Sequence, residues 1–211
     1  MKRAVPGSPA RIAVLLARGE VPALLRPFVG QSSAALLPVS GRPVIHRSLE
    51  YLHDQGVERV IVGMLPDDTR LAQFLEHAFG SRLDLQLIPV AEERGPGYTL
   101  LQCLLSLEDA SPVLVVLGDT LFRFPPSAWK TPNRSFVLTS PVDDAARWCL
   151  ADVSKDGLVT ALADKPRQSP GGWPALIGVY YLADPRPARD ALAVAAEGEA
   201  RLKSGTPWNP T

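Results

Sequence analysis

The 211-residue chain is short of cysteine (two), methionine (two) and histidine (three), and it carries no net charge, with 22 basic residues against 22 acidic ones. Each scarcity removes a class of function. Balanced charge takes away the electrostatic case for a nucleic-acid or anionic-membrane partner, because such binding starts from an excess of basic side chains that displace counterions. Cys103 and Cys149 have no CxxC spacing, and His46, His53 and His77 form no ligand-spaced set, so a structural zinc site is not expected. The apolar run near the N-terminus, residues 12–17, is shorter than the hydrophobic region of a signal peptide and far below the ~20 residues that span a bilayer. The expectation is a soluble cytoplasmic protein with reduced thiols. Lysine is scarce as well: Lys2, Lys130, Lys155, Lys165 and Lys203 are 5 of the 22 cations, so each lysine position is informative.

What is present suits a folded domain. Hydrophobic residues make up 46% of the chain, and the 21 prolines are spread through loops as punctuation and form no linker tract. Continuous aliphatic runs at 11–17, 57–64, 83–90 and 112–117 read as buried strands. Amphipathic runs at 43–55, 66–79 and 98–107 read as helices, the first opening on Pro43 and closing at Gly56. Strands separated by helices imply βαβ units and a parallel sheet. After Asp119 the character changes. Runs at 136–139, 149–153, 158–162 and 175–182, joined by turn residues such as Asp156-Gly157, predict antiparallel strands before a last helix over 187–202.

Ligands of open parallel sheets bind beyond the carboxyl ends of the strands, which directs attention to the segments that follow Ala17 and Leu117. There the order AVLLARGE (13–20), ALLPVSGRPVIHRSLEYLHDQGVERVIV (35–62), VLGDTLF (116–122), RWCLADVSKDGLVTALADKP (147–166) and ALIGVYYL (175–182) resembles the sugar-phosphate nucleotidyltransferases. These enzymes join a nucleoside triphosphate to a sugar 1-phosphate, giving an NDP-sugar and pyrophosphate.

The resemblance implies an α/β fold: a Rossmann-like, GT-A-like mixed sheet flanked by helices, with an antiparallel sugar-side extension. It also implies one domain over 1–211, with a nucleotide-side half (11–120) and a sugar-side half (121–211), the latter open to truncation at the C-terminus. It places Arg18, Gly19, Arg26, Gly97 and Gly118 near the nucleotide, and Cys149, Asp164, Lys165 and Gly178 near the sugar. Asp119 and Lys165 become the candidate catalytic pair, Asp119 on a magnesium ion, which needs hard carboxylate oxygens, and Lys165 on the sugar phosphate. The partners implied are a nucleotide or nucleotide-sugar, and a second copy or a catalytically competent relative.

The chain departs from the family pattern at the first loop. Where the family has G-T-R, this sequence has Val21, Pro22 and Ala23, and where it has P-K just before A-L-L-P-V, Ser33-Ala34 stand instead. Pro22 also lacks the N–H that a phosphate cradle would use. Trp148-Cys149 replace Tyr-Gly. Gly205-Thr206-Pro207 is similar to the end of the stretch that carries a second metal aspartate, with Lys203 at the aspartate. Removing one well-placed transition-state donor costs ~10²–10³ in rate, so the resemblance implies impaired catalysis, or a non-catalytic regulatory or scaffolding relative. Plainer readings stand beside these. Asp119 also reads as a turn residue closing a buried strand, and Lys165 equally as a solvated lysine before proline. Gly19 reads as a remnant loop glycine, His46, Cys103 and Tyr180-Tyr181 as helix-face, core and strand residues, and 92–94 as a solvated loop.

Overall fold

The computed structural model describes residues 10–108, 110–123, 134–167 and 170–204; the 205–207 stretch lies outside them. In chain order the elements are β1 (Ile12–Leu16), α1 (Arg26–Val29), β2 (Pro38–Val39), β3 (Arg42–Pro43), α2 (Val44–Asp54), β4 (Arg59–Met64), α3 (Thr69–Phe79) and β5 (Asp84–Pro89). They continue with α4 (Gly95–Leu105), β6 (Val113–Leu117), β7 (Phe136–Ser140), β8 (Cys149–Val153), β9 (Val159–Asp164), β10 (Ala175–Leu182) and α5 (Arg186–Ser204).

Eight strands form one mixed sheet in the order β5-β4-β1-β6-β10-β8-β9, with β7 also paired to β10. The first four are parallel. From β10 onward the pairing is antiparallel. Continuous apolarity in the parallel strands follows from burial on both faces. On β1 the alternation is direct: Ala13 and Leu15 face Ile45, Leu49, Leu71 and Leu75 of α2 and α3, while Val14 faces Cys103 and Leu104 of α4. Leu192 of α5 packs on that second cluster. A fully buried leucine contributes roughly 1.5–3 kcal/mol, so these layers fix the strand ends against which the loops are placed. No helix among the described residues is long and apolar enough to cross a membrane.

Two helix starts differ from the sequence expectation. Pro66, Asp67 and Asp68 form a turn and not the first turn of α3, because the Asp68 side chain caps the helix by accepting from the Leu71 N–H at 3.0 Å. Helix α4 begins at Gly95, whose φ of +78° reverses the chain, with Pro96 preorganised in the first turn. The hairpin of β2 and β3 was not expected; each strand has two residues, below the length at which periodicity shows.

Strand β10 carries an irregularity in its pairing with β7, between Leu176 and Tyr180. Gly178 sits inside it with φ +81°, and a Cβ there would come within 2.6 Å of the Leu117 side chain. Both facts require glycine at that position for packing reasons alone.

Candidate functional site

Strand order reverses direction at β1: β4 and β5 lie on one side, β6 on the other. That switch point is where an open α/β sheet leaves a crevice. Leu16 pairs with Leu117 at the ends of β1 and β6. The Gly118 N–H donates to the Leu16 carbonyl at 3.0 Å, and the Ala17 N–H donates to the Gly63 carbonyl at 2.8 Å. A Cβ on Gly118 would stand 3.0 Å from the Ala17 Cα, so glycine lets the two strand exits run side by side. Between them opens a cleft of about 650 Å³, lined among others by Arg18, Gly19, Glu20, Arg26, Glu93 and Asp119.

The long loop after β1 is closed on itself. At its neck Glu20 bridges Ser33, the Val21 N–H donates to the Ser32 carbonyl at 3.0 Å, and the Ala34 N–H donates to the Gly19 carbonyl at 2.7 Å. Ser33, at the first position of the missing P-K pair, donates its hydroxyl to the Ala17 carbonyl at 2.6 Å and accepts from the Ala35 N–H at 3.2 Å. The Val21, Ser33 and Ala34 amides are thus engaged in holding the loop shut.

Asp68 completes the clamp, and sequence reasoning missed it. This buried carboxylate takes the Ser33 N–H at 2.7 Å and the Ser32 hydroxyl at 2.8 Å, in addition to the cap of α3. An aspartate just ahead of a helix was the available signal. Its reach to a loop 35 residues away was not readable from the chain.

The cations of the cleft are both committed. Arg18 donates from Nε to the Val90 carbonyl at 3.0 Å and from Nη2 to the Ala91 carbonyl at 3.1 Å, tying the loop after β1 to the one after β5. Arg26 donates from Nε to the Val21 carbonyl at 3.1 Å and from Nη2 to the Glu20 carboxylate at 2.7 Å. Five charged side chains line the cleft, three carboxylates and two guanidiniums.

Asp119 stands exposed on the wall formed by the β6 exit. Among the described residues no group of three or more His, Cys, Asp or Glu side chains is placed to hold a metal. Gly19 lines the cleft, and a Cβ there would meet no atom within 4 Å, so packing does not require glycine.

Gly97, expected beside the nucleotide, faces α5 instead, where a Cβ would meet Leu192 at 3.3 Å; Gly95 and Pro96 line the cleft in its place. The 92–94 segment is more than a solvated loop, since Glu93 lines the cleft and the Arg94 guanidinium lies 4.4 Å over the Tyr98 ring and donates to the Ala196 carbonyl of α5.

The sugar-side candidates group elsewhere. Cys149 pairs in register with Asp164, and burial, then the Asp164 carboxylate, push its thiol up from the ordinary cysteine range. Lys165 is exposed, donates its N–H to the Trp148 carbonyl at 2.9 Å, and has φ +46°. A non-glycine residue in the left-handed region costs on the order of 1 kcal/mol or more, and proline at the next position disfavours helical conformations further. None of Cys149, Asp164, Lys165 and Gly178 lines the cleft.

Residues 29–130 match the family model of the MobA-like NTP transferase domain, and they contain β6, Gly118 and Asp119. Solved structures similar to this chain include HddC from Yersinia pseudotuberculosis, at 25% identity over 85% of this chain and 79% of that one, TM-score 0.68. A UDP-glucose pyrophosphorylase complexed with UDP-glucose is similar at 16% identity over 86% and 78%, TM-score 0.70. The inositol-1-phosphate CTP transferase from T. maritima is similar at 18% identity over 83% and 71%, TM-score 0.67. The last two show the nucleotidyltransferase fold that the first motifs implied.

Proposed function

We propose that this nucleotidyltransferase-fold chain binds a nucleotide or nucleotide-sugar in the cleft at the β1 and β6 exits, and that its turnover as a sugar-phosphate nucleotidyltransferase is strongly impaired. In the full reaction an oxygen of the sugar 1-phosphate attacks the α-phosphorus of the triphosphate, and the bond to the departing pyrophosphate breaks. Charge then accumulates on phosphate oxygens, and fixed cations are the usual means of stabilising it. The observation that carries the impairment is local: the two loop positions where the family is cationic are Ala23 and Ala34. Of the two cleft arginines, Arg26 is paired with Glu20 and Arg18 donates to the Val90 and Ala91 carbonyls.

Ligand recognition is supported by the cleft itself and by Asp119 on its wall. HddC has been solved with GMP-PN and UDP-glucose pyrophosphorylase with UDP-glucose, so this fold accepts such ligands. A magnesium ion fits as one brought by the nucleotide: Asp119 would supply one carboxylate, with water and phosphate as the other ligands. Such an ion would neutralise phosphate charge.

Calorimetric titration with nucleoside triphosphates and NDP-sugars tests this reading. Binding in the micromolar to millimolar range, weakened by chelating magnesium and by Asp119→Ala, is expected. Absence of binding by every nucleotide at millimolar concentration would overturn it.

A second reading, a non-catalytic relative that acts on a partner subunit or a second copy in the cytoplasm, is favoured by one surface. The β8–β9 hairpin and its flanks leave Trp148, Val153, Leu158, Val159 and Leu162 exposed, an apolar grouping of the kind found at interfaces.

A further inference from the structure

Resting on the nucleotide-binding reading above, we propose that Glu20 is an internal counter-anion that occupies Arg26 and sets how tightly the cleft takes phosphate. Glu20 Oε2 lies 2.7 Å from Arg26 Nη2, and both side chains line the cleft at about two-fifths exposure. The pair is held in place from both ends. The backbone of Glu20 bridges Ser33 at the loop neck, and the Nε of Arg26 is fixed on the Val21 carbonyl. The guanidinium therefore stays at the rim with the carboxylate against it.

A phosphate that reaches Arg26 must displace Glu20 from it or sit beside it. Either way the carboxylate opposes the ligand. Arg18 offers limited relief, because two of its N–H groups are engaged by the Val90 and Ala91 carbonyls. With Glu93 and Asp119 also on the lining, the three carboxylates outnumber the two guanidiniums. Neutralising Glu20 releases Arg26 to the ligand, so the gain runs through Arg26. The half-exposed setting screens the effect, so its size is on the order of tenfold in affinity for a polyphosphate.

Glu20 thereby discriminates by charge. Pyrophosphate and triphosphates carry the opposing charge and are penalised, and an uncharged nucleoside is not.

The test is a double-mutant cycle on the full chain with Glu20→Gln and Arg26→Ala, in low salt with a chelator, titrating inorganic pyrophosphate, a nucleoside triphosphate and the parent nucleoside by calorimetry. Glu20→Gln keeps the shape and an acceptor oxygen, and thermal unfolding of each variant checks that it folds. The expected result is ~10-fold tighter binding of pyrophosphate and triphosphate to Glu20→Gln, no change for the nucleoside, and loss of the gain when Arg26→Ala is added. Equal polyphosphate affinity in the parent and Glu20→Gln, or a gain that survives Arg26→Ala, overturns the role of Glu20 and leaves the nucleotide-binding reading standing. If no variant binds any of the three probes at millimolar concentration, in chelator or with magnesium added, the nucleotide-binding reading falls, and the role of Glu20 with it.

Discussion

The segments that leave the neighbouring strands β1 and β6 are built on opposite plans. The exit from β6 is a short turn, Gly118-Asp119, placed by the strand end and by the close approach of Gly118 to Ala17. The exit from β1 is a long loop, and its conformation comes from its own contacts: the bridge of Glu20 with Ser33, the Glu20–Arg26 pair, and the Asp68 clamp. A side chain positioned by a strand end needs little else to keep its place. One positioned by a loop depends on a network, and here that network ties together the groups that a phosphate would otherwise meet.

This contrast can be broken by substitution. The largest effect is expected from Asp68→Ala, which strips a helix cap worth ~1 kcal/mol and leaves the Ser33 N–H and Ser32 hydroxyl without their buried acceptor. A loss of about 3 kcal/mol in urea unfolding is expected, with Asp68→Asn retaining part of it and with faster amide exchange over 18–34. A cost under about 1 kcal/mol would mean that the loop holds its shape without the clamp.

Gly118→Ala should come next, at about 1–2 kcal/mol, because the new methyl would press on the Ala17 Cα and Cβ and on the Leu16 carbonyl at 3.0 to 3.1 Å. For a chain of this size that corresponds to roughly 3–7 °C in Tm. Unchanged stability would show that the β1 and β6 exits are less tightly joined than the glycine implies.

Sequence patterning made the sheet and its helices legible because both depend on burial with a short period. The run PVLVVL could only be a buried strand, and IHRSLEYL could only present one apolar stripe. The Gly118-Asp119 exit was readable for the same reason, since it sits at the end of such a strand. The long loop was legible only as a departure from a motif: the missing cations show in the letters, but their replacement by a hydrogen-bonded clamp does not. Asp68 acts across 35 residues of separation, and the Glu20–Arg26 pair depends on a loop closed by Ser33. Long-range pairings of polar side chains carry no periodic signal. Two glycines flank Pro96, and the letters alone do not tell that Gly95 takes the positive φ that turns the chain while Gly97 lies against Leu192 of α5.

On the proposed function, a local shortage of free, well-placed cations in the β1 loop limits turnover while the fold stays intact. The direct measurement is pyrophosphate release from magnesium triphosphates with a panel of sugar 1-phosphates, comparing the parent chain with the variant Ala23→Arg/Ala34→Lys. A parent rate near background, raised ~10²-fold or more by the two restored cations, is the predicted result. A parent chain that already releases pyrophosphate as fast as the variant would contradict the claim.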